Sequence, residues 1–417
     1  MRQTEPVTGD SRQKSRWSLV LGALRYRDFR LFWLGSITEH IGEFMGLAAI
    51  LWLVNDMTHS PLMLTIVGSS RFVTRVFFST IGGVVADRMN RRRLLIAALL
   101  AAALFSLVLA VLAAIGYIAI WQLIVISLLS GVVMSFNHPA RQAIVPNLVS
   151  KDHLLNAVSV DILSIQVSRA IGMPIAGYVI LIAGVWPIFV LRALGCLLAV
   201  AWLLMINVPP TSATAKTQTP WRNLAQGFHY LRGDIVVLAV VLSFFIPVLV
   251  QNAYTSFLPV FADDILRIGA VGYGYLQGAP GVGAILFLIG LSLLTYYNGK
   301  LRLLIISTAL LGVSLLGFSL SHWFFLSLLM LVVTGAMAAA FFAINTTLLQ
   351  GMVPDEMRGR IMSWREIFFG LGPAGSIVFG ALALYTGVQF SLGLLGGICL
   401  ILSLVLIILL PRLRSAG

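Results

Sequence analysis

Residues 94–120, "LLIAALLAAALFSLVLAVLAAIGYIAI", form an unbroken run of 27 residues without a charge. A helix needs about 20 apolar residues to cross the hydrocarbon core of a bilayer. "LILSLVLIILL", at residues 400–410, is of the same kind. Hydrophobic residues make up 59% of the chain and charged residues 10%, against roughly 25% charged in soluble proteins. No soluble core hides that many apolar residues. Closed barrels also span membranes, but their strands alternate in short segments, whereas these runs are continuous. The chain therefore reads as an all-α polytopic membrane protein.

Splitting the apolar stretches at turn and charge signals gives twelve spans. They begin near Phe29, Pro61, Arg93, Tyr117, His153, Val185, Asp234, Val271, Leu301, Trp323, Arg360 and Val388. Lys and Arg fix the direction, because they accumulate on the cytoplasmic side. With the amino terminus inside, cytoplasmic segments hold 23 of the 28 Lys and Arg residues, with Arg141 and Arg365 counted among them. The net charge of +13 is then a topology signal. No contiguous basic domain exists, so nucleic acid is excluded as a partner. Cys196 and Cys399 both fall inside apolar runs, which gives no support to a disulfide framework or a metal site.

The organisation that follows is a cytoplasmic tail and surface segment (1–28), a first six-helix bundle (29–208), a cytoplasmic linker (209–233), a second six-helix bundle (234–410) and a short cytoplasmic tail (411–417). The polar start is too long and basic for a cleavable signal and reads as disordered. "SLVLGALRYRDF" after it reads as amphipathic, on the membrane surface. Both termini are expected in the cytoplasm, and the localisation is the cytoplasmic (inner) membrane.

A repeated phrase supports the two halves. "NHPARQAIVP" from Asn137 and "NTTLLQGMVP" from Asn345 share Asn, Gln and Val-Pro at the same spacing, 208 residues apart. Gly82, Asn90 and Arg92 map onto Gly290, Asn298 and Lys300 at the same offset. A two-fold repeat of this length means a duplicated half rather than a solenoid.

Twelve spans in six-plus-six parallel repeats resemble the major facilitator superfamily, whose substrate site lies at the midplane between the halves. The loop "GVVADRMNRRRLL" resembles that superfamily's signature loop after span two. Gly83, Ala86, Asp87, Arg88, Arg91 and Arg92 match it, with Asn90 in place of its second Gly. "NHPARQAIVPNLV", "MVPDEMRGRIMSW" and "GLGPAGSIVFGALA" are similar to the third drug:proton antiporter branch, which includes macrolide efflux proteins and the enterobactin exporter. Two motifs depart from the pattern. Ser127 stands four residues before Gly131 where an Arg is expected, and the fifth-span motif is shifted, with Gly172, Pro174 and Gly177 in "GMPIAG". The resemblance implies a gating loop of Gly83, Asp87, Arg88, Arg91 and Arg92, with Asp87 docking near Arg360 at the start of span eleven. A carboxylate beside a helix amino terminus gains about 0.3–1 kcal/mol. The simpler alternative is that the arginines only hold the loop inside.

Charges within the spans are Glu39, Glu43, Arg71, Arg75, Asp161, Arg169 and Arg192. Each costs roughly 2.5–3.5 kcal/mol at a helix centre on insertion scales, so each seeks a partner or water. Glu39 and Glu43 share one face of span one, and Arg71 and Arg75 one face of span two. Counting at about 1.5 Å per residue puts Glu39 level with Arg75, and Glu43 level with Arg71. Such pairs are either static bridges or proton-coupling groups, and Asp161 and Arg169 are candidates for the same role. Arg192 is near enough to the outer surface to snorkel.

Superfamily geometry implies a cavity between spans one, four, seven and ten. Its polar and aromatic positions are His40, Phe44, Phe136, Asn137, Gln251, Asn252, Tyr254, Phe342 and Asn345. A mostly apolar wall with few polar fixtures suits a small amphipathic substrate. No phosphate loop, zinc-type His-Glu-x-x-His or Gly-x-Ser-x-Gly is present, so neither an ATP-driven pump nor an enzyme is indicated. The expectation is a monomeric secondary active transporter with no cofactor and no metal, driven by the proton gradient and exporting amphipathic drugs. The alternatives are a dedicated exporter of one metabolite such as a siderophore and, more distantly, a non-transporting membrane sensor or assembly subunit.

Overall fold

The computed structural model describes residues 22–88, 90–206, 220–291 and 299–414. Every regular element among them is helical, with no strand. The first set of helices is α1 (Arg27–Thr58), α2 (Pro61–Arg88), α3 (Arg91–Ala114), α4 (Ile120–Leu148), α5 (Leu154–Ala183) and α6 (Trp186–Leu204). The amphipathic α7 (Pro220–Gly233) leads into the second set. That set is α8 (Ile235–Ser243), α9 (Phe245–Val260), α10 (Gly269–Leu291), α11 (Lys300–Ser319), α12 (Phe324–Met352), α13 (Asp355–Thr386) and α14 (Val388–Arg414).

Local chemistry sets the boundaries. His59 takes the left-handed conformation at φ 45°, its N–H reaches Asn55 O at 2.8 Å, and Pro61 opens α2. Asn90, the residue in place of the signature glycine, caps α3: its Oδ1 accepts from the N–H of Arg92 at 3.0 Å and of Arg93 at 3.3 Å. Such a cap is worth about 1 kcal/mol. Asp234 does the same for α8, accepting from Val236 and Val237. α8 and α9 form one rod broken at Phe244 and closed by a π-turn at Phe261–Ile265.

Among the described residues, ten segments, with α8, α9 and the π-turn counted as one, are long and apolar enough to cross a membrane. Large apolar side chains such as Leu104, Val111, Ile182 and Ile408 lie exposed along them, a surface that water does not tolerate over this extent. The chain is a multi-pass membrane protein. α2, with Arg71 and Arg75 along its length, and the glycine-rich α10 are not among the ten.

The two sets meet along α5–α10 and α2–α13, towards the ends marked by Thr58, Pro61, Ala183, Gly269 and Thr386. Small residues allow this. A Cβ on Gly274 would stand 2.7 Å from the Met173 carbonyl, and Ser69 Oγ donates to Pro373 O at 2.7 Å across the seam. Tyr273 adds a hydrogen bond to Ala48 O at 3.2 Å. At the opposite ends, contacts among the described residues include ties within one set. Arg91 Nη1 donates to Ala143 O, and Phe228 of α7 stacks on Trp364 of α13 at 5.5 Å.

Candidate functional site: a buried charge cluster facing the seam

Glu39 lies midway along α1, where two side chains of α4 reach it. Asn137 Nδ2 of α4 donates to its Oε1 at 2.9 Å, and Arg141 Nη1, one turn further on, donates to its Oε2 at 3.0 Å. Arg141 then extends Nη2 to Asp161 Oδ1 of α5 at 2.9 Å. One guanidinium thus bridges two carboxylates from different helices. Its ring neighbour is Phe32, 5.4 Å from the guanidinium carbon. The three charged side chains are 8–19% exposed. A narrow crevice between α1, α3 and α6, lined by Leu31, Ser36, Leu99, Ala199 and Trp202, reaches Glu39 and Arg141.

The sequence count places Arg141, between Pro139 and Pro146, among the cytoplasmic cations. In the structure α4 runs unbroken through both prolines to Leu148. Proline costs a helix one hydrogen bond, a loss that neighbouring helices can compensate inside a membrane protein. The repeated phrase carried the signal, since Arg141 sits inside it. Arg365, also counted as cytoplasmic, lies within α13, where Nη1 donates to Thr346 Oγ1 at 2.6 Å and the guanidinium stands 4.7 Å over Phe244. Gln277, buried on α10, is a third residue the sequence left unmarked. It donates to Thr255 O and to Tyr273, and its own backbone carbonyl accepts from Arg169 Nε at 3.3 Å.

Glu43 and Arg71 meet, at 3.5 Å. Glu39 and Arg75, level in the sequence count, do not form the other pair: Arg141 takes Glu39, and Arg75 lies over the Phe369 ring at 5.2 Å. Arg169 joins α5 to α10 rather than meeting the Glu pair. The stem of Arg192 turns inward across α1, where Gly42 and Gly46 leave room for it: a Cβ on Gly46 would stand 2.7 Å from Arg192 Cδ.

Of the remaining cavity candidates, His40 is buried with no partner for Nδ1. Phe44 is half-buried against a core shared by both sets, and Phe136 against a core of the first set. Asn252 donates to Val248 O, Gln251 is half-buried beside it, and Tyr254 is fully buried. Phe342 packs edge-on against Phe244. Asn345 donates to Val240 O at 2.9 Å and Ser243 Oγ at 3.3 Å. Asn137 and Asn345, the first letters of the repeated phrase, thus each bond to the helix that opens their set.

In the gating loop, Arg91 donates to Ala143 O, and Arg92 to the last carbonyls of α6, Leu203 O at 2.9 Å and Leu204 O at 2.6 Å. Cations at a helix carboxyl end are favourable there. Arg360 Nη1 contacts Met357 Sδ. The side chains of Asp87 and Arg88, and the surroundings of Gly83, lie outside the described residues.

The chain is thus a multi-pass helical membrane protein with charges buried between its helices. Solved structures share the fold. A POT family transporter in complex with a thioalcohol-conjugated peptide superposes at a TM-score of 0.76, with 14% identity, covering 93% of this chain and 96% of that one. A bacterial homologue of the human lysosomal transporter Spinster, inward-facing and occupied, gives 0.72, with 12% identity over 94% and 98%. Residues 19–416 match the family described as transmembrane secretion effector, and the chain belongs to that family of major facilitator transporters. It is a transporter, not an enzyme. Similar proteins include the staphyloferrin A transporter of Staphylococcus aureus (24% identical, over 88% of this chain and 92% of the relative). The enterobactin exporter EntS of Escherichia coli O1:K1 is 25% identical over 96% of each, and macrolide efflux protein A of Streptococcus pyogenes 21% over 85% and 88%.

Proposed function

We propose that the protein is a proton-coupled exporter of amphipathic small molecules, working by alternating access between two six-helix halves related by the 208-residue repeat. Twelve helices then cross the inner membrane with both termini in the cytoplasm, as the Lys and Arg distribution favours. The contacts between the sets at the Thr58 and Thr386 ends support a state closed to the outside and open to the cytoplasm. The central observation is the Glu39–Arg141–Asp161 bridge with Asn137, drawn from α1, α4 and α5. A proton arriving at Glu39 cancels its hold on Arg141. The guanidinium then pairs with Asp161 alone, and α1 becomes free to move against α4. Loss of that proton to the cytoplasm restores the bridge. Glu43, loosely paired with Arg71, is the second carboxylate able to exchange.

Vesicles with an imposed pH gradient test this. Glu39→Gln is expected to abolish gradient-driven flux while leaving exchange of labelled substrate down its own gradient intact. Gradient-driven flux equal to that of the parent protein would remove Glu39 from the coupling.

Export of one dedicated metabolite is the second reading, favoured by the similarity to the staphyloferrin A and enterobactin transporters. Metabolite profiling of a deletion strain against a broad efflux screen separates the two.

A further inference from the structure

The crevice between α1, α3 and α6 ends at the carboxyl that Asn137 and Arg141 hold. Its wall on α1 is a single helix face, Phe32, Gly35, Ser36 and Glu39, at spacings of three and four residues. Its lower rim, at Leu31 and Leu95, lies about one turn from the starts of α1 and α3. Arg92 ties this end to the last carbonyls of α6 through Leu203 O and Leu204 O. On the exporter reading these are the cytoplasmic ends of the helices. Gly35 makes the space: a Cβ there would stand 3.4 Å from both Ala199 Cα and Trp202 Cβ.

The crevice has a volume of about 10 Å³. That is room for one water, provided about two to four polar groups hold it. The Glu39 carboxylate, the Arg141 guanidinium and Ser36 Oγ all line it. The Ser36 hydroxyl donates to Phe32 O at 2.8 Å, one turn back, so its lone pairs are left to accept. Arg141 is buried, and its Nε has no partner in the protein, so a donor remains beyond those spent on Glu39 and Asp161. The charges that act on Glu39 are Arg141 of α4, Glu43 of its own helix and Asp161 of α5. Higher up, α6 lays Arg192 against Gly42 and Gly46, and α2 pairs Arg71 with Glu43. From α3 and α6 the crevice receives no charged side chain. A proton crossing it therefore needs water.

We infer that this crevice holds the water through which Glu39 exchanges its proton with the cytoplasm, on a route apart from the seam between the two sets. This rests on the proton-coupled reading above and gives its proton step a path. The protonated carboxyl gives its proton to the water, and the water passes one of its own along the crevice to solvent. The carboxylate then recovers Arg141, and the water is left unchanged. Because the path lies within the first set, the proton can leave while cargo occupies the space between the sets.

Stopped-flow infrared spectroscopy of the full chain in nanodiscs tests this, with D2O as the probe. Mixing into D2O at mildly acidic pH shifts the Glu39 carboxyl band at the rate at which its proton leaves, and Glu39→Gln assigns the band. Ser36→Ala removes the hydroxyl, while Gly35→Ala places a methyl between Ala199 and Trp202 at ordinary contact distance. Each is expected to slow the exchange about ten-fold, the effect of one hydrogen bond lost from the relay. Ser168→Ala is the control. It removes a hydroxyl equally buried against α1 but on the α5 side, where it donates to Ile37 O at 3.5 Å, and should exchange like the parent. Parent-like exchange in either crevice variant, or equal slowing in all three, overturns the route and leaves Glu39 as a coupling group. A parent protein with no carboxyl band that Glu39→Gln removes would instead sink the proton-coupled reading, and the crevice route with it.

Discussion

Arg141 holds Glu39 through a 3.0 Å ion pair and uses its other terminal nitrogen for Asp161 at 2.9 Å, so that one residue of α4 binds both α1 and α5. Neither carboxylate is more than one-fifth exposed. Removing the shared cation leaves two acids without their partner. Breaking a buried pair in this way costs about 3–5 kcal/mol. Arg141→Gln is therefore expected to lower the unfolding midpoint in detergent markedly. Adding Glu39→Gln to it should recover part of the loss, with a coupling of roughly 0.5–3 kcal/mol. Additive losses in a double-mutant cycle would show that the pair does not act as a unit.

The repeated asparagines give a contrast between matched positions. Asn345 is fully buried and its amide bonds α12 to α8 with no acid in the contact. Asn345→Ala should destabilise by about 1–3 kcal/mol and leave the pH dependence of flux untouched. Asn137→Ala, by contrast, should alter that pH dependence, because Asn137 donates to Glu39 itself. Identical pH profiles for the two variants would remove Asn137 from the coupling group.

Gly131 of α4 faces α2, where a Cβ would collide with the Arg71 carbonyl and Thr74 Oγ1. Thr74 Oγ1 also donates to Leu128 O at 2.8 Å, so it has little freedom to retreat. Gly131→Val forces α2 away from α4 and is expected to cost about 1–3 kcal/mol. The same displacement shifts Arg71 from Glu43. Unfolding midpoint and flux should fall together, and unchanged values in both would mean that the two helices do not approach this closely.

Ser69 and Ser376 approach to 3.0 Å between hydroxyl oxygens across the seam. In a Cys196→Ala, Cys399→Ala background, cysteines at both positions are expected to form a disulfide under mild oxidation and to stop turnover, with reduction restoring it. Full turnover of the cross-linked protein would rule out separation of the seam at this point during transport.

The membrane class, the helix starts and the meeting of Glu43 with Arg71 were legible in the sequence, because a fixed rise per residue makes depth a matter of counting. The partner of Glu39 was not. Depth alone allowed Arg75, whereas the choice depends on which faces of α1, α2 and α4 turn towards each other. Arg141 counts with the cytoplasmic cations in the sequence, whereas α4 carries it inside the helix past Pro139 and Pro146. Asn90 is an instructive opposite: set against the signature loop it reads as a mismatch, and in the structure it is the cap that starts α3. The inward course of Arg192 depends on space left by Gly42 and Gly46 on another helix, which no count along one helix reveals.

Infrared difference spectroscopy of the protein in nanodiscs, titrated from mildly acidic to mildly alkaline pH, addresses Glu39 without any knowledge of the cargo. The expected result is a protonated-carboxyl band that titrates in the parent protein, vanishes in Glu39→Gln and survives in Asp161→Asn. Superimposable spectra for the parent and Glu39→Gln would contradict a proton-exchanging Glu39.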